Sequence, residues 1–357
     1  MTDNNEWFRS GDYVKNIDRV AMMYEPIRTI CNKTILITGA TGTIGSYLSD
    51  LLIRTSKQYG LNNRIILAGR SVDRLEYRFS HWDMDGNIIK YLEYDLNDTV
   101  NYSGDVDYIF HLAGNAYPAA FNEYPVETIE GIINGTSNIL KFSMQKKSCR
   151  IVYVSSGEVY GECDGITKKE TDAGYINSLS SRSCYPLAKR LAENLCVDYI
   201  DEYGLDVVIA RPCHTFGMQW SKSDNRAHVQ FLENAISNKD IVLHSNGSKV
   251  RSYLFVADCC TAIISIALFG TTGSAYNIAS KEYISIRELA EEIASVSGVS
   301  VLLDITQIDA KKDSPIEMQV LDSKILHELG WMQKISVKEG ISEVIKILRM
   351  NRIDNLK

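Results

Sequence analysis

Directly after the apolar run Thr34-Ile35-Leu36-Ile37-Thr38 the chain reads Gly39-Ala40-Thr41-Gly42-Thr43-Ile44-Gly45, then continues with helical patterning to about residue 57. Three glycines between a strand and a helix constrain the fold more than any other segment. A turn without Cβ atoms lets the backbone approach a pyrophosphate, and the helix start beyond it offers free N–H groups and the positive end of its dipole. The segment therefore predicts a strand–loop–helix unit that holds a dinucleotide through Gly39, Thr41, Gly42, Thr43, Ile44 and Gly45. The competing reading is a turn that merely needs glycine.

Further apolar runs follow at 64–68, 89–94, 107–112, 150–155 and 206–210, with helical stretches near 125–146 and 184–203 between the later ones. Near-continuous apolar strands joined by helices imply a parallel sheet covered on both faces, an α/β doubly wound fold. Domain lengths of roughly 150 residues make the 357-residue chain two domains, or one large α/β unit with an elaborated lobe. Beyond residue 212 the rhythm breaks into loops rich in Ser, Asn and Asp, at 221–225 and 245–248. Residues 33–212 are thus expected to form the dinucleotide domain and 213–357 mainly a smaller lobe over the carboxyl edge of the sheet, with some segments returning to the sheet. In the extension before residue 33, Val14, Ile17, Val20, Ala21, Tyr24 and Ile27 recur at helical spacing, which predicts a helix packed on the body or on another subunit. Ser285-Ile286-Arg287-Glu288 has the form of a capping box.

Composition narrows the classes. The net charge of −7, from 38 basic and 45 acidic residues in no segregated block, argues against a nucleic-acid binder. The first six residues lack the positive charge and apolar stretch of a signal peptide, so a cytoplasmic location is expected. The longest apolar stretch, 262–269, is interrupted by Ser265 and falls well short of the roughly 20 residues that cross a bilayer. The eight cysteines form neither a Cys-x-x-Cys pair nor a zinc-like cluster, so no metal is expected. They read as reduced thiols, with Cys259 and Cys260 in the core.

Tyr185 and Lys189 lie four apart on one helix face. An ammonium beside a phenol stabilises the phenolate, so the tyrosine can exchange a proton with an alcohol near neutral pH. Ahead of them Ser155-Ser156-Gly157-Glu158-Val159-Tyr160-Gly161 supplies the Ser156 hydroxyl and the Glu158 carboxylate from the same sheet edge. The second strand ends in Gly69-Arg70 rather than in an acid that would bind a ribose 2′-hydroxyl. Arg70 either pairs with a 2′-phosphate, which favours NADP over NAD, or is a solvated arginine. Asp95, after the third strand, could accept from an adenine amino group or be a plain surface acid.

From about Lys33 to Ile347 the chain resembles the extended short-chain dehydrogenase/reductase family, the NAD-dependent nucleotide-sugar epimerases, dehydratases and decarboxylases. Four stretches carry the likeness: residues 155–161; Arg182-Ser183-Cys184-Tyr185 with Lys189 to Glu193; Arg211-Pro212-Cys213-His214-Thr215-Phe216-Gly217 with Asp224-Asn225-Arg226; and Arg251-Ser252-Tyr253 with Val256-Ala257-Asp258. Within the family they are most similar to the UDP-glucuronate decarboxylases. The resemblance implies a Rossmann-type fold, a nucleotide-diphosphate sugar as substrate and a homodimer. It implies that Tyr185 deprotonates the sugar 4-hydroxyl as hydride leaves C4, with Ser156 on the same oxygen, Lys189 tuning Tyr185 and Glu158 at the C5/C6 end. It adds Leu96, Leu112, Ala113, Gly114 and Pro212 to the cofactor-facing set with Tyr185 and Lys189, and Asn115, Tyr117, His214, Arg226 and Arg251 to the substrate side. The two arginines would clamp the diphosphate or a carboxylate, work suited to a planar fork of donors; otherwise they are exposed loop arginines.

Departures from the pattern matter. Gly157 stands where the 4,6-dehydratases carry the aspartic acid that protonates the departing hydroxyl, which counts against plain dehydration. His214 replaces an asparagine of many relatives, and Gly114-Asn115-Ala116-Tyr117-Pro118 replaces the decarboxylases' Ser-Pro-Ala-Ser-Pro. The first reading is decarboxylation of a UDP-uronic acid through a 4-ketone. The alternatives are a 4-epimerase, a 4,6-dehydratase, an NADPH-dependent 4-keto-sugar reductase, and a non-catalytic dinucleotide-binding regulator.

Overall fold

Alternate residues of the central strands bury into two separate cores. Ile35, Ile37, Ile65, Leu67, Phe110, Val152, Val154, Val208 and Ala210 face one. Leu36, Ile66, Ala68, Ile109, Ile151, Tyr153, Val207 and Ile209 face the other. Period-two alternation with both faces apolar is what a parallel sheet sandwiched between helices requires.

The computed structural model describes residues 6–84, 86–146, 149–162, 167–304 and 317–354. Helix α1 (Gly11–Met23) precedes β1 (Thr34–Thr38), α2 (Thr43–Tyr59), β2 (Arg64–Gly69), α3 (Val72–Phe79), β3 (Ile89–Glu93) and β4 (Tyr108–His111). Then come α4 (Pro118–Glu123), α5 (Pro125–Ser143), β5 (Arg150–Val154), β6 (Thr167–Lys168), α6 (Cys184–Tyr203), β7 (Asp206–Pro212), β8 (His214–Phe216), α7 (Ala227–Ile236) and β9 (Ile241–Leu243). The rest is β10 (Val250–Phe255), α8 (Val256–Phe269), β11 (Ala275–Ile278), β12 (Tyr283–Ser285), α9 (Ile286–Ser297), β13 (Val301–Leu303), β14 (Met318–Leu321), α10 (Lys324–Glu328) and α11 (Val337–Asp354).

The main sheet has seven strands in the order β11-β7-β5-β4-β1-β2-β3, every pair parallel. Strand order reverses between β1 and β4, so the ends of these two strands frame the crevice where open α/β sheets bind ligands. Six strands match the apolar runs read from the sequence. The seventh, β11, is a segment of the carboxyl-terminal half that returns to the sheet, pairing Ile278 with Pro212. A second sheet runs β12-β10-β14-β6, with β8 also on β10. It sets Arg251 beside Gln319 and Tyr253 beside His214.

Cys259 and Cys260 are fully buried in α8, as the core reading expects. The seven described cysteines are free thiols; Cys163 lies outside the described residues. Ser285 and Glu288 form the predicted capping box on α9. No helix among the described residues is long and apolar enough to cross a membrane.

The extension packs on this chain's own body, α1 lying against α2 and α11. Its helix ends at Met23 rather than running to Ile27, because Pro26 opens a separate 3-10 turn, Glu25–Thr29. A buried polar knot holds it down. Asp50 of α2 accepts from the Tyr13 hydroxyl, from both terminal nitrogens of Arg78 and from Trp82 Nε1, and the Arg78 guanidinium lies over the rings of Trp7 and Phe8.

Candidate active site

The glycine loop is built to approximate backbones. Gly39 has φ +69°, and a Cβ there would stand 2.8 Å from the Ala113 nitrogen. At Gly45 a Cβ would fall 2.1 Å from the Gly39 carbonyl oxygen, so the first turn of α2 can lie on the loop only without that carbon. Gly42 caps α2 with no side-chain hydrogen bond, and no acid stands in its first turn. No acid of the helix's own first turn therefore competes for the leading N–H groups on Thr43, Ile44 and Gly45. Thr43 Oγ1 donates to the Gln219 carbonyl at 2.7 Å, and Thr41 is exposed. Thr38 Oγ1 bonds His111 Nδ1 at 2.8 Å and accepts from the Ala113 N–H at 3.3 Å, which ties the end of β4 to the loop. Burial, reinforced by Lys189, holds His111 down to about 3, so the ring is neutral. A side chain at Gly39 or Gly45 would force the loop off Ala113 or off α2, and with Thr41 and Gly42 exposed at the start of α2 this close-packed loop fits a dinucleotide's pyrophosphate.

Around the cradle the cofactor-side expectations separate. Arg70 is exposed one residue beyond β2, and Ser71 next to it caps α3 by accepting from the Arg74 N–H. Asp95 turns back on its own loop, accepting from the backbone and side-chain nitrogens of Asn97 at 3.0 and 3.3 Å. Leu96 packs on α5, where a Cβ at Gly135 would come within 2.3 Å of its Cδ2. Its carbonyl accepts from Asn138. Leu112 is half-buried beside the core, Gly114 has φ +153°, and Pro212 closes β7. Asn115 is exposed. Tyr117 accepts at its hydroxyl from Ser223, which joins the loop after β4 to the 221–225 loop.

At the carboxyl end of β5 the chemistry-bearing residues converge. The Tyr185 phenol is buried on α6 and stacks on Phe121, centroids 5.1 Å apart. Burial pushes it up to about 12, the Glu158 carboxylate adds to this, and the Ser156 hydroxyl, Arg226 and Arg182 pull it back. Ser156 Oγ also accepts from the Glu158 N–H at 3.2 Å. Arg182 bridges both carboxylate oxygens of Glu158, at 3.0 and 3.2 Å, while its guanidinium lies 4.4 Å from the Phe121 ring centre.

Lys189 is buried on α6, one turn along from Tyr185. Its ammonium donates to the Val154 carbonyl at 2.8 Å and lies 4.9 Å from the Tyr153 ring centre. Burial lowers it to about 8 against the pull of Glu193. The cations acting most strongly on Tyr185 are Arg226 and Arg182, not the lysine one turn along.

The substrate-side arginines are both engaged. Arg226 makes a fork-to-fork pair with the buried Asp224, Nε to Oδ1 at 2.9 Å. It still acts on Tyr185, His214, His228 and Tyr253. Arg251 is buried, with Nη1 on the Val250 and Glu317 carbonyls at 2.8 and 3.0 Å. Burial, then Arg251, His228 and Arg226, keeps His214 well below its ordinary value, its ring 5.5 Å from that of Tyr253. Sequence reasoning quoted Arg182 and Asp224 inside motifs without giving either a role, and it missed Phe121. The one available signal was an arginine three residues before the tyrosine.

The NAD dependent epimerase/dehydratase family matches residues 35–279. UDP-glucuronic acid decarboxylase 3 of Arabidopsis thaliana is 29% identical over 310 residues, 87% of this chain and 87% of that one. UDP-glucuronic acid decarboxylase 1 of Xenopus tropicalis is 26% identical over 343 residues, 94% of this chain and 78% of that one. Among solved structures, a dTDP-glucose 4,6-dehydratase double mutant from Streptomyces venezuelae, with NAD bound, superposes with TM-score 0.76 at 23% identity, covering 90% of this chain and 99% of that one. These likenesses to solved structures establish the shared fold.

Proposed function

Since the chain belongs to the NAD dependent epimerase/dehydratase family, a family of nucleotide-sugar enzymes, we propose that it oxidises a nucleotide sugar at C4 and decarboxylates it, with UDP-glucuronate as the substrate. The observation that carries this reading is the meeting of Ser156, Glu158 and Tyr185 at the sheet edge beside the glycine cradle. The two decarboxylases that align along most of the chain support the choice of reaction.

NAD, when bound, supplies the acceptor for the C4 hydride and its donor on return. Gly39, Gly42 and Gly45 would hold its pyrophosphate, and Lys189 would face its nicotinamide ribose. Tyr185 takes the 4-hydroxyl proton as hydride departs, with Ser156 holding that oxygen. Burial and the Glu158 carboxylate favour the neutral phenol that returns a proton to the 4-keto oxygen, while the Ser156 hydroxyl, Arg226 and Arg182 favour the phenolate that takes one. The 4-ketone makes a C6 carboxylate a β-keto acid, so the C5–C6 bond breaks, carbon dioxide leaves and its electron pair passes into the C4–C5 enolate. A proton drawn from solvent is added at C5, and hydride returned to C4 with the Tyr185 proton returned to its oxygen completes a redox-neutral cycle.

The test is mass spectrometry of products from UDP-glucuronate with NAD or NADP. Loss of 44 mass units, that of carbon dioxide, supports the reading; an isomer of unchanged mass moves the assignment to a 4-epimerase, and stoichiometric NADPH consumption in a separate arm with a 4-keto nucleotide sugar moves it to a reductase. Parallel arms decide the cofactor, because Arg70 stands where a ribose-binding acid is absent. Apolar side chains exposed on α5 (Val126, Ile129) and α6 (Leu191, Val197) support a homodimer through these helices, which light scattering tests.

A further inference from the structure

Gly157 leaves a gap in the turn between Ser156 and Glu158, and a neighbouring strand fills it. A Cβ at Gly157 would stand 3.4 Å from the side-chain nitrogen of Gln319 and 3.0 Å from Leu321 Cδ1. Both residues lie on β14, two apart, and so share the face turned to this segment. Leu321 packs there with Val159 and Tyr160. Gln319 brings a polar group to the same place. It is 8% exposed. In register across the strand pair lies Arg251, buried and cationic. An amide with two N–H donors therefore stands directly over the turn that carries Ser156 and Glu158, with a guanidinium on its own sheet.

We infer that Gln319 is a specificity-determining residue that donates its side-chain N–H groups to the oxygens on C6 of the sugar, a C6 carboxylate in the substrate proposed above. The inference rests on the nucleotide-sugar reading and deepens it. Ser156 fixes the C4 end of the ring, and the next residue along the turn then faces the neighbouring part of the substrate. Gly157 has no side chain to meet it, and Gln319 comes over the top. The arrangement also gives Gly157 a reason: a larger residue would push Gln319 and Leu321 outward.

The experiment measures binding of UDP-glucuronate and of UDP-xylose, which has no C6, to the NAD-loaded full chain by calorimetry, for wild type, Gln319→Leu and Gly157→Ala. Thermal melting and NAD affinity check each variant's fold. Expected is a tenfold or greater loss of UDP-glucuronate affinity in both variants, with UDP-xylose affinity within twofold of wild type and partial recovery in Gln319→Asn. Equal loss of both sugars, or loss of neither, overturns the inference while leaving the proposed reaction standing if wild type releases carbon dioxide. Selective loss in a protein that binds UDP-glucuronate without decarboxylating it keeps the inference and overturns the reaction. A wild type that binds neither sugar overturns both.

Discussion

The two ends of α2 offer a matched test of what a glycine does. At the amino end, Gly45→Ala would place a Cβ 2.1 Å from the Gly39 oxygen and 2.9 Å from its carbonyl carbon. That is more than 1 Å inside an ordinary contact of about 3.5 Å. Both obstacles are backbone, so no rotamer relieves the clash and the loop must move away from the helix. Overpacking of this kind costs about 1–3 kcal/mol, small against a total stability of about 5–15 kcal/mol, so the variant folds. The damage falls on the cradle. Hydrogen bonds to a charged group contribute about 1.5–3 kcal/mol each, and losing one to the pyrophosphate lowers NAD affinity about 10- to 100-fold. At the carboxyl end Gly60 has φ +61°, and a methyl added there would meet nothing within 4 Å. Gly60→Ala carries only the left-handed backbone penalty, about 1–2 kcal/mol, offset by about 0.4–1 kcal/mol of lost unfolded-state freedom. It should lower Tm by a few degrees and leave NAD binding alone. Calorimetric titration of NAD with thermal melts of both variants checks this. Wild-type NAD affinity in folded Gly45→Ala, or an equal loss in Gly60→Ala, refutes the steric account.

Three further outcomes are expected. Tyr185→Phe should lower kcat by about 10²–10⁴ while the sugar-nucleotide Kd stays within a few-fold, read by steady-state kinetics and titration; retained turnover removes the phenol from the chemistry. Lys189 is held down to about 8, so its ammonium is present below that pH and lost above it. The rate should therefore fall along an alkaline limb near pH 8, which Lys189→Arg moves up by more than about one unit; a limb that stays in place excludes the lysine. Asp50→Asn leaves the buried Arg78 guanidinium without its counter-charge and should cost about 3–5 kcal/mol in denaturant unfolding. NAD affinity should not change, since the knot lies away from the glycine loop; a loss under about 1 kcal/mol means that Arg78 finds another partner.

Most of the main sheet was legible because its strands obey a strong local rule. Residues 35–37, 65–67 and 151–154 are apolar on both faces, and only a strand covered on both sides requires that. Strand β11 is harder to read: Ala275-Tyr276-Asn277-Ile278 is four residues long and carries an asparagine. That asparagine is fully buried because its amide donates to the Lys168 and Asp322 carbonyls and its Oδ1 accepts from Tyr160. Partners more than 40 residues away cannot be inferred from spacing. The overlong helix in the extension has a different cause, since periodicity continues through Ile27 while Pro26 breaks the hydrogen-bond ladder.

In the site, residue types were legible and pairings were not. The four-residue spacing of Tyr185 and Lys189 is real, yet the lysine directs its proton to the Val154 carbonyl, and Arg182 and Arg226 exert the stronger pull on the phenol. Arg182 reaches that position through Glu158 and Phe121, and Arg226 through Asp224. These contacts bear on which reaction the turn after β5 can support. Elimination of a hydroxyl needs a proton delivered to the departing oxygen. At the turn, Gly157 has no side chain, the Gln319 amide has no acidic proton to give, and Glu158 is engaged by Arg182. Departure of carbon dioxide needs no protonation of the leaving group; it needs the carboxylate held ionised and oriented until the 4-ketone forms. Neutral N–H donors and a nearby guanidinium meet that requirement, so the same substitution that weakens the case for dehydration strengthens the case for decarboxylation.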